Sequence, residues 1–458
     1  MRSLRCTAFE ELMLAQESVS YPSVIVTKFR FSGSIDRTLF SEAVRELLLR
    51  HPLLRARAKQ RWGKSLWTIP LPEDAGPADC PIDWRSEPES NQWTNDTYLD
   101  VRRESGMNIT VNEHRDGVSI LFKVHHALVD GLALSSVIHD LLVIYDAKTR
   151  GAKPILPSVD EQALVDRNRF GLDWKSLVRI LPQQCVGIAG VRQFLMRRPR
   201  PIALHPVFCE PTVIKLPADV LFHSMDEQST LAMHSAASRL SVTVNEILAA
   251  SIFVACAECT TSTNQDKDQG QWLRMMVPVN MRSTPLDMQQ SACNIVSSIF
   301  LDRTPKQILD RLELLRSINQ EMNLIKKNRL ALMFLFSLWV WKTFPIHRPK
   351  IHSRSQCSAS VIFTNLGKQY VRSPLCKPHQ RLSAGQMTLE SISAGTPLAP
   401  HVSASFAAIQ YARRMMISLR YDSRILNRQV ADDLLTTVLG TVNEYVKMAA
   451  KSECESTV

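Results

Sequence analysis

The stretch VSILFKVHHALVDG, residues 118–131, carries the most specific pattern in this chain of 458 residues. It follows MNITVNEH, residues 107–114, across Asp116-Gly117, a dipeptide that favours a two-residue hairpin turn. The two runs therefore read as an antiparallel pair. The second strand leads directly into His125 and His126, then Asp130 and Gly131, and LALSSVIHDLLVIYDAK reads as a helix starting just after them. A base that activates an alcohol, amine or thiol needs a pKa near the working pH, which imidazole has. It also needs one tautomer held in one orientation, and a nearby carboxylate or backbone carbonyl can hold it. Two adjacent His residues on a strand end, an Asp four residues after the second and a Gly suited to a tight turn meet those needs. The same residues also fit a structural His pair or part of a metal site, but no HExxH motif accompanies them, and the one CxxC pair, Cys256 and Cys259, lies at the end of an apolar helical run without a second pair.

Upstream, FEELMLAQES reads as a short helix and SVIVTKFRF, 23–31, as a strand with Val24, Val26, Phe29 and Phe31 alternating. Asp36 caps a helix that carries Leu39, Phe40, Val44, Leu47 and Leu48 on one face and stops at His51-Pro52. LRARAKQ and SLWTIP read as short strands, and 89–103 as a polar helix. Downstream, 151–210 is irregular and basic and includes RRPRP, so the chain divides there: a first half 1–195, a linker 196–210 and a second half 211–458. The second half reads as a strand at TVIKLP, helices near 225–239 and from Thr243, strands at WLRMMVPVN and NIVSSIFL, and a long helix 305–328. Strands at ASVIFTNLG, MTLESIS, HVSASFAAIQY and MMISLRY follow, and a helix over 427–448 closes the chain. Strands and helices mix without βαβ alternation, which excludes a TIM barrel or a single Rossmann sheet. No internal repeat is present.

Length and composition set the frame. At this size two domains are expected, and 45% apolar with 22% charged residues suits a folded globular chain. The net charge of +11 gives a positive field that suits nucleic acid, phosphate-bearing cofactors, anionic lipid or an acidic carrier protein, and composition does not choose among them. Its clusters at Arg197, Arg198, Arg200 and at Lys326, Lys327, Arg329 lack the interleaved aromatics of a nucleic-acid reader. The 10 Cys residues have no disulfide-framework spacing and the N-terminus has no apolar leader core, so a cytoplasmic protein with reduced thiols is expected. Cys256 and Cys259, in the apolar run NEILAASIFVACAEC, read as buried small hydrophobes. No segment is long enough to span a bilayer. LALMFLFSLWVW, 330–341, reads as a buried helix or, alternatively, as a greasy surface helix that docks on a membrane or lines an acyl tunnel.

HHALVDG resembles the HHxxxDG signature of the chloramphenicol-acetyltransferase-like superfamily, which includes condensation domains, wax ester synthases and alcohol acyltransferases. Four further segments resemble that superfamily in the right order: the opening strand and helix ending in HPLLR, the helix start TVNEILAA, the segment VPVNMRS and the strand end VIFTNLG. The resemblance implies an α/β (α+β) fold of two chloramphenicol-acetyltransferase-like subdomains, each a mixed sheet with flanking helices, and an active-site channel between them.

What it implies for single residues follows the same motifs. His126 is expected as general base and His125 as its packing and hydrogen-bonding neighbour. Asp130 is expected to point away from substrate and pair with Arg282, and Gly131 to allow the turn into the helix. Thr364 or Asn365 is the candidate oxyanion donor, with a turn-forming role as the plainer alternative for Asn-Leu-Gly. The expected activity is acyl transfer to a hydroxyl or amine in a ternary complex. No Ser or Cys lies in an activating motif such as GxSxG, so no acyl-enzyme is expected. The donor is expected to be acyl-coenzyme A or the phosphopantetheine of an acyl carrier protein, and the acceptor a small molecule or lipid. No metal, no tightly bound cofactor and no nucleic acid are expected; a monomer and peripheral membrane contact are.

The DFGWG motif of the plant branch and the NVPGP-like phrase of wax ester synthases are missing, and TNLGK stands in place of the latter. Without a recognisable carrier or adenylation domain, a stand-alone enzyme is the expectation. The rivals are an amide-forming condensation enzyme and a non-catalytic paralogue that binds acyl or lipid ligands.

Overall fold

In the computed structural model the described residues are 2–61, 63–71, 81–86, 98–159, 161–167, 174–202, 218–263, 272–282, 292–343, 357–376, 381–400 and 402–456. The first half runs β1 (Arg2–Arg5), α1 (Ala8–Gln16), β2 (Val24–Ser32), α2 (Arg37–Arg50), β3 (Arg57–Arg61), β4 (Lys64–Ile69) and β5 (Ile82–Arg85). It continues with β6 (Met107–His114), β7 (Gly117–His125), α3 (Gly131–Thr149), α4 (Glu161–Val165) and α5 (Trp174–Met196). The second half comprises β8 (Ala218–Met225), α6 (Glu227–Arg239), α7 (Val244–Thr263), β9 (Leu273–Asn280), β10 (Val296–Arg303), α8 (Pro305–Ile308), α9 (Arg311–Lys327) and α10 (Ala331–Thr343). The chain then forms β11 (Val361–Lys368), β12 (Ser383–Ala384), β13 (Met387–Gly395), β14 (Ala404–Tyr411), β15 (Arg414–Asp422) and α11 (Arg428–Ser456).

Two mixed sheets of six strands form the centres of two lobes. The first has the order β12-β13-β2-β7-β6-β5 and the second β10-β9-β11-β14-β15-β8; a small sheet β1-β4-β3 flanks the first. Each lobe has its own apolar core, one built on Phe29, Phe40, Phe122 and Leu141, the other on Phe253, Leu314, Phe363 and Phe406. Two cores are what a chain of this length requires once one core stops growing. The α/β fold with two subdomains expected from the sequence is therefore the observed one.

β7 lies inside its sheet, antiparallel to β2 with His125 opposite Val24 and to β6 with Gly117 opposite His114. That position buries both of its faces and explains the apolar run VSILF. At its end Asp130 caps α3: its Oδ1 accepts from the N–H groups of Leu132 and Ala133 at 3.1 and 2.9 Å. α3 is then buried on most of its surface, from Ala133 to Ala147.

The expected division of the chain needs one correction. Residues 383–395 lie within the expected second half, yet β13 pairs antiparallel with β2 of the first sheet, Ile392 opposite Phe29. The second half thus sends a strand across, and the lobes share a sheet. The long helix expected over 305–328 is interrupted at Leu309-Asp310, because the Asp310 carboxylate accepts from Leu312 N and Glu313 N and starts α9 as a separate helix. Most of the helix expected over 89–103 and the strand expected at TVIKLP fall outside the described residues; of the former, the described part 98–103 is not helical. No single described helix is long and apolar enough to cross a membrane.

Candidate active site

The backbone at the end of β7 is held from both sides. His126 N–H donates to Ser23 O at 2.7 Å, and His126 O accepts from Asn294 Nδ2 at 2.7 Å. The imidazole has a fixed tautomer: Nδ1 lies 3.0 Å from Val129 O, and a carbonyl can only accept, so Nδ1 carries the hydrogen and Nε2 the lone pair. The ring is half-buried on the wall of a cavity of about 560 Å³. Burial pushes the His126 pKa below its ordinary value of 6.5, against the hydrogen bond to Val129 and the nearby Asp130, which raise it. At neutral pH the ring is a neutral base with Nε2 unprotonated.

His125 is turned away from that role. It is fully buried; Ala127 N–H donates to its Nδ1 at 3.2 Å, so Nε2 carries the hydrogen and donates to Glu17 Oε2 at 2.5 Å. Glu17 also pairs with Arg102 at 2.9 Å. His125 is thus a structural neighbour that ties β7 to the end of α1.

Asp130 and Arg282 form a buried ion pair at 2.9 Å across the lobes, as the motif implies. Asp130 Oδ2 also accepts from Ile295 N at 2.8 Å, and Arg282 donates to Cys293 O at 3.0 Å and Asn280 Oδ1 at 3.1 Å. One carboxylate therefore caps α3 and anchors the segment before β10. Gly131 has a different reason from the expected one. It is not among the residues with positive φ, so the turn does not require Gly; a Cβ there would lie 2.7 Å from Leu366 Cδ2. A side chain at Gly131 would make Leu366 of the second lobe shift, so Gly lets the lobes approach closely at the start of α3.

Thr364 and Asn365 both line the cavity. Asn365 Oδ1 accepts from Gly367 N–H at 2.8 Å, and Gly367 has φ +66°. The turn-forming role of Asn365 is therefore real, and it leaves the Nδ2 side of the amide for other work. The rest of the wall is largely apolar and comes from both lobes: Leu12 and Met13 from α1, Phe194 from α5, Ile299 from β10, Met333 and Leu338 from α10. Of the two readings of the apolar segment 330–341, lining the cavity holds for one face of α10, while Phe336 and Trp339 on it remain exposed. Cys256 and Cys259 are both buried, and burial raises both thiols, Cys259 to about 11, which suits their reading as small hydrophobes. Among the described residues no group of three or more His, Cys, Asp or Glu is placed to hold a metal.

Asn294 and Glu17 were not singled out by sequence reasoning. Asn294, in ACNIV just before β10, is a polar residue between apolar ones at a strand start, and it is 5% exposed. That pattern was the available signal. Glu17 carried none, since a carboxylate at the end of a helix is ordinarily solvated.

The Condensation domain family matches residues 9–162, which contain His126 and Asp130. A stretch of 141 residues is 29% identical to the protein named "Probable non-canonical nonribosomal peptide synthetase (NRPS) CymA" of Salinispora arenicola; it is 30% of this chain and spans only 2% of that protein. Among solved structures, the first condensation domain of the calcium-dependent antibiotic synthetase superposes with a TM-score of 0.70 at 12% identity, covering 97% of both chains. The trichothecene 15-O-acetyltransferase TRI3 of Fusarium sporotrichioides gives 0.69 at 13% identity, over 97% of this chain and 95% of that one. The SgcC5 protein of Streptomyces globisporus gives 0.68 at 16% identity, over 97% and 98%. The chain thus has the fold of condensation domains and of the TRI3 acetyltransferase over nearly its whole length, and its residues 9–162 match the Condensation domain family.

Proposed function

We propose that this chain is an acyltransferase that moves an acyl group from a thioester donor to a hydroxyl or amine, with His126 as general base. The observation that carries the reading is the fixed tautomer on the cavity wall. Nδ1–H is used up on Val129 O, so the basic Nε2 is the nitrogen left for an acceptor. In the step proposed, the acceptor oxygen or nitrogen attacks the thioester carbonyl carbon while Nε2 takes its proton. The tetrahedral intermediate then collapses, the C–S bond breaks, and the leaving thiolate recovers the proton from Nε2. No acyl-enzyme forms. The Thr364 hydroxyl and Asn365 Nδ2 are the proposed donors to the oxyanion, a contribution of the kind that costs about 10²–10³-fold when one donor is lost. Proton transfer by the base supplies about 10²–10⁴-fold.

The largely apolar wall favours a donor or acceptor with a sizeable hydrocarbon part over an acetyl-sized one. The positive net charge favours a phosphate-bearing donor, either coenzyme A or the phosphopantetheine of a carrier protein. The match of residues 9–162 to condensation domains supports a second reading, amide formation on a carrier-bound acyl group. Thiol release measured over a panel of acyl-coenzyme A and acyl-pantetheine donors, C2 to C16, with alcohols and amines as acceptors, separates the two. Ester formation, or amide formation from acyl-coenzyme A, supports the first reading; product on amines alone, and only from acyl-pantetheine, supports the second. No acceptor-dependent thiol release from any donor contradicts both and leaves a non-catalytic acyl-binding protein.

A further inference from the structure

Two apolar helices of this molecule are short, 186–196 within α5 and 331–340 within α10, and they pack together, with Gly187 directly against Met333 and Leu330. Their inner faces contribute Phe194, Met333, Phe334 and Leu338 to the cavity. Elsewhere on the same helices large apolar side chains lie open to water: Ile188 at 62%, Phe336 at 57% and Trp339 at 53%. Phe336 and Trp339 stack on each other at 5.9 Å between ring centroids. Leu195 is 58% exposed and also lines the cavity, so the cavity reaches the surface at this helix.

Along the chain, the charge of these two segments is one-sided. From Asp173 to Glu210 the sequence has no carboxylate between, and it carries Lys175, Arg179, Arg192, Arg197, Arg198 and Arg200. From Glu321 to Glu390 it again has none between, with eleven Lys or Arg residues. In a chain with 44 Asp and Glu residues, both segments that expose apolar helices are free of carboxylates, as are residues 47–72 and 391–421, which lack such helices. Exposed Ile, Phe and Trp on segments that carry cations and no carboxylates is the pattern of a helix that lies in the interface of an anionic bilayer. An acidic carrier protein would be served by the cations alone, with no need for a bare aromatic pair. Neither apolar stretch spans a membrane by length, so the contact is peripheral.

We infer that the α5–α10 pair docks this protein on an anionic lipid surface, with Ile188, Phe336 and Trp339 inserted among the acyl chains. The mouth at Leu195 then opens toward the bilayer, and a lipid-borne substrate passes into the cavity without crossing water. This deepens the acyl-transfer reading but is tested separately from it, because vesicle binding needs no turnover.

The full chain is sedimented with vesicles of phosphatidylcholine alone and with 30 mol% phosphatidylserine added, a composition chosen to give a clear negative surface (about −30 mV or more). The expected result is retention on the anionic vesicles only, weakened by added salt, with affinity lowered about tenfold or more in I188S/F336S/W339S while the melting temperature stays within about 2 °C, as for exposed substitutions. None of these three residues belongs to the site. Equal sedimentation of the triple variant, or no retention on anionic vesicles, overturns the inference. Retention instead of the protein by an acidic acyl carrier protein, with none on vesicles, also overturns it and assigns the same surface to a protein partner.

Discussion

Asp130 Oδ2 lies 2.9 Å from the Arg282 guanidinium, inside the molecule and across the boundary between its two lobes. Both side chains are almost wholly buried, and the same carboxylate caps α3 through Leu132 and Ala133 and accepts from Ile295 N. Removing one partner leaves a charge buried without a counterion, which costs about 3–5 kcal/mol. Asp130→Ala and Arg282→Ala are each expected to lose that much in urea unfolding, and the double variant clearly less than the sum, since the pair is removed together. Additive losses would mean that the pair is not coupled.

Asn294 is the second tie to the motif loop. Its Nδ2 holds the His126 carbonyl at 2.7 Å, and its Oδ1 is buried without a hydrogen-bond partner among the described residues. Asn294 is therefore a positioning residue. Asn294→Ala is expected to lower kcat about tenfold, the equivalent of one hydrogen bond of about 1.4 kcal/mol, with KM nearly unchanged. The acid limb of the pH profile should stay where it is, because the same imidazole titrates. A change confined to KM would place Asn294 in substrate binding instead.

Gly33 tests the strand that crosses between lobes. It has φ +92°, and a Cβ there would sit 2.0 Å from Gln386 O in the turn between β12 and β13. Gly33→Ala combines a backbone strain of about 1–3 kcal/mol with a backbone clash that no side-chain movement relieves. The expected outcome is destabilisation of at least about 2 kcal/mol in denaturant unfolding. The same change at Gly63, where φ is +71° and nothing lies within 4 Å of the Cβ, should cost only the conformational part. Equal losses at both positions would argue against the pairing of β13 with β2.

How far the sequence reached is clear from such positions. The hairpin at Asp116-Gly117, the strand feeding His125 and His126, and the Asp36 cap were legible because each is local: turn chemistry, strand patterning and a side chain bonding three residues ahead. Burial of α2 followed from its apolar face in the same way. The destination of MTLESIS was not legible, since β13 has the same pattern whichever sheet accepts it, and the first sheet does. Gly131 was read as a turn residue because the sequence shows its neighbours along the chain and not Leu366 across the lobes. Asn294 was missed for the same reason: its partner, His126 O, is 168 residues away. The pairing of Asp130 with Arg282 came from family resemblance, and nothing in their spacing predicts it.

The pH dependence follows from the buried imidazole. His126 works as a base only when neutral, and burial lowers its pKa below 6.5. A group with a depressed folded-state pKa binds fewer protons in the native protein than in the unfolded one between the two values. The His126 contribution to stability is therefore fully present above about pH 6.5 and is lost as pH falls through the folded-state pKa. The acid limb of kcat/KM is expected to have its midpoint below 6.5, with activity flat up to at least pH 8. A midpoint above 6.5 would place the imidazole in a different environment.

The most direct measurement is single-turnover thioester cleavage by wild type and His126→Ala, with a saturating acceptor and with both proteins confirmed folded by their melting temperatures. The account predicts a loss of at least about 10²-fold in the acceptor-dependent rate, with melting temperatures that differ little because His126 lines the cavity and belongs to neither apolar core. An acceptor-dependent rate unchanged in His126→Ala would show that the proton leaves by another route, and the general-base assignment would be wrong.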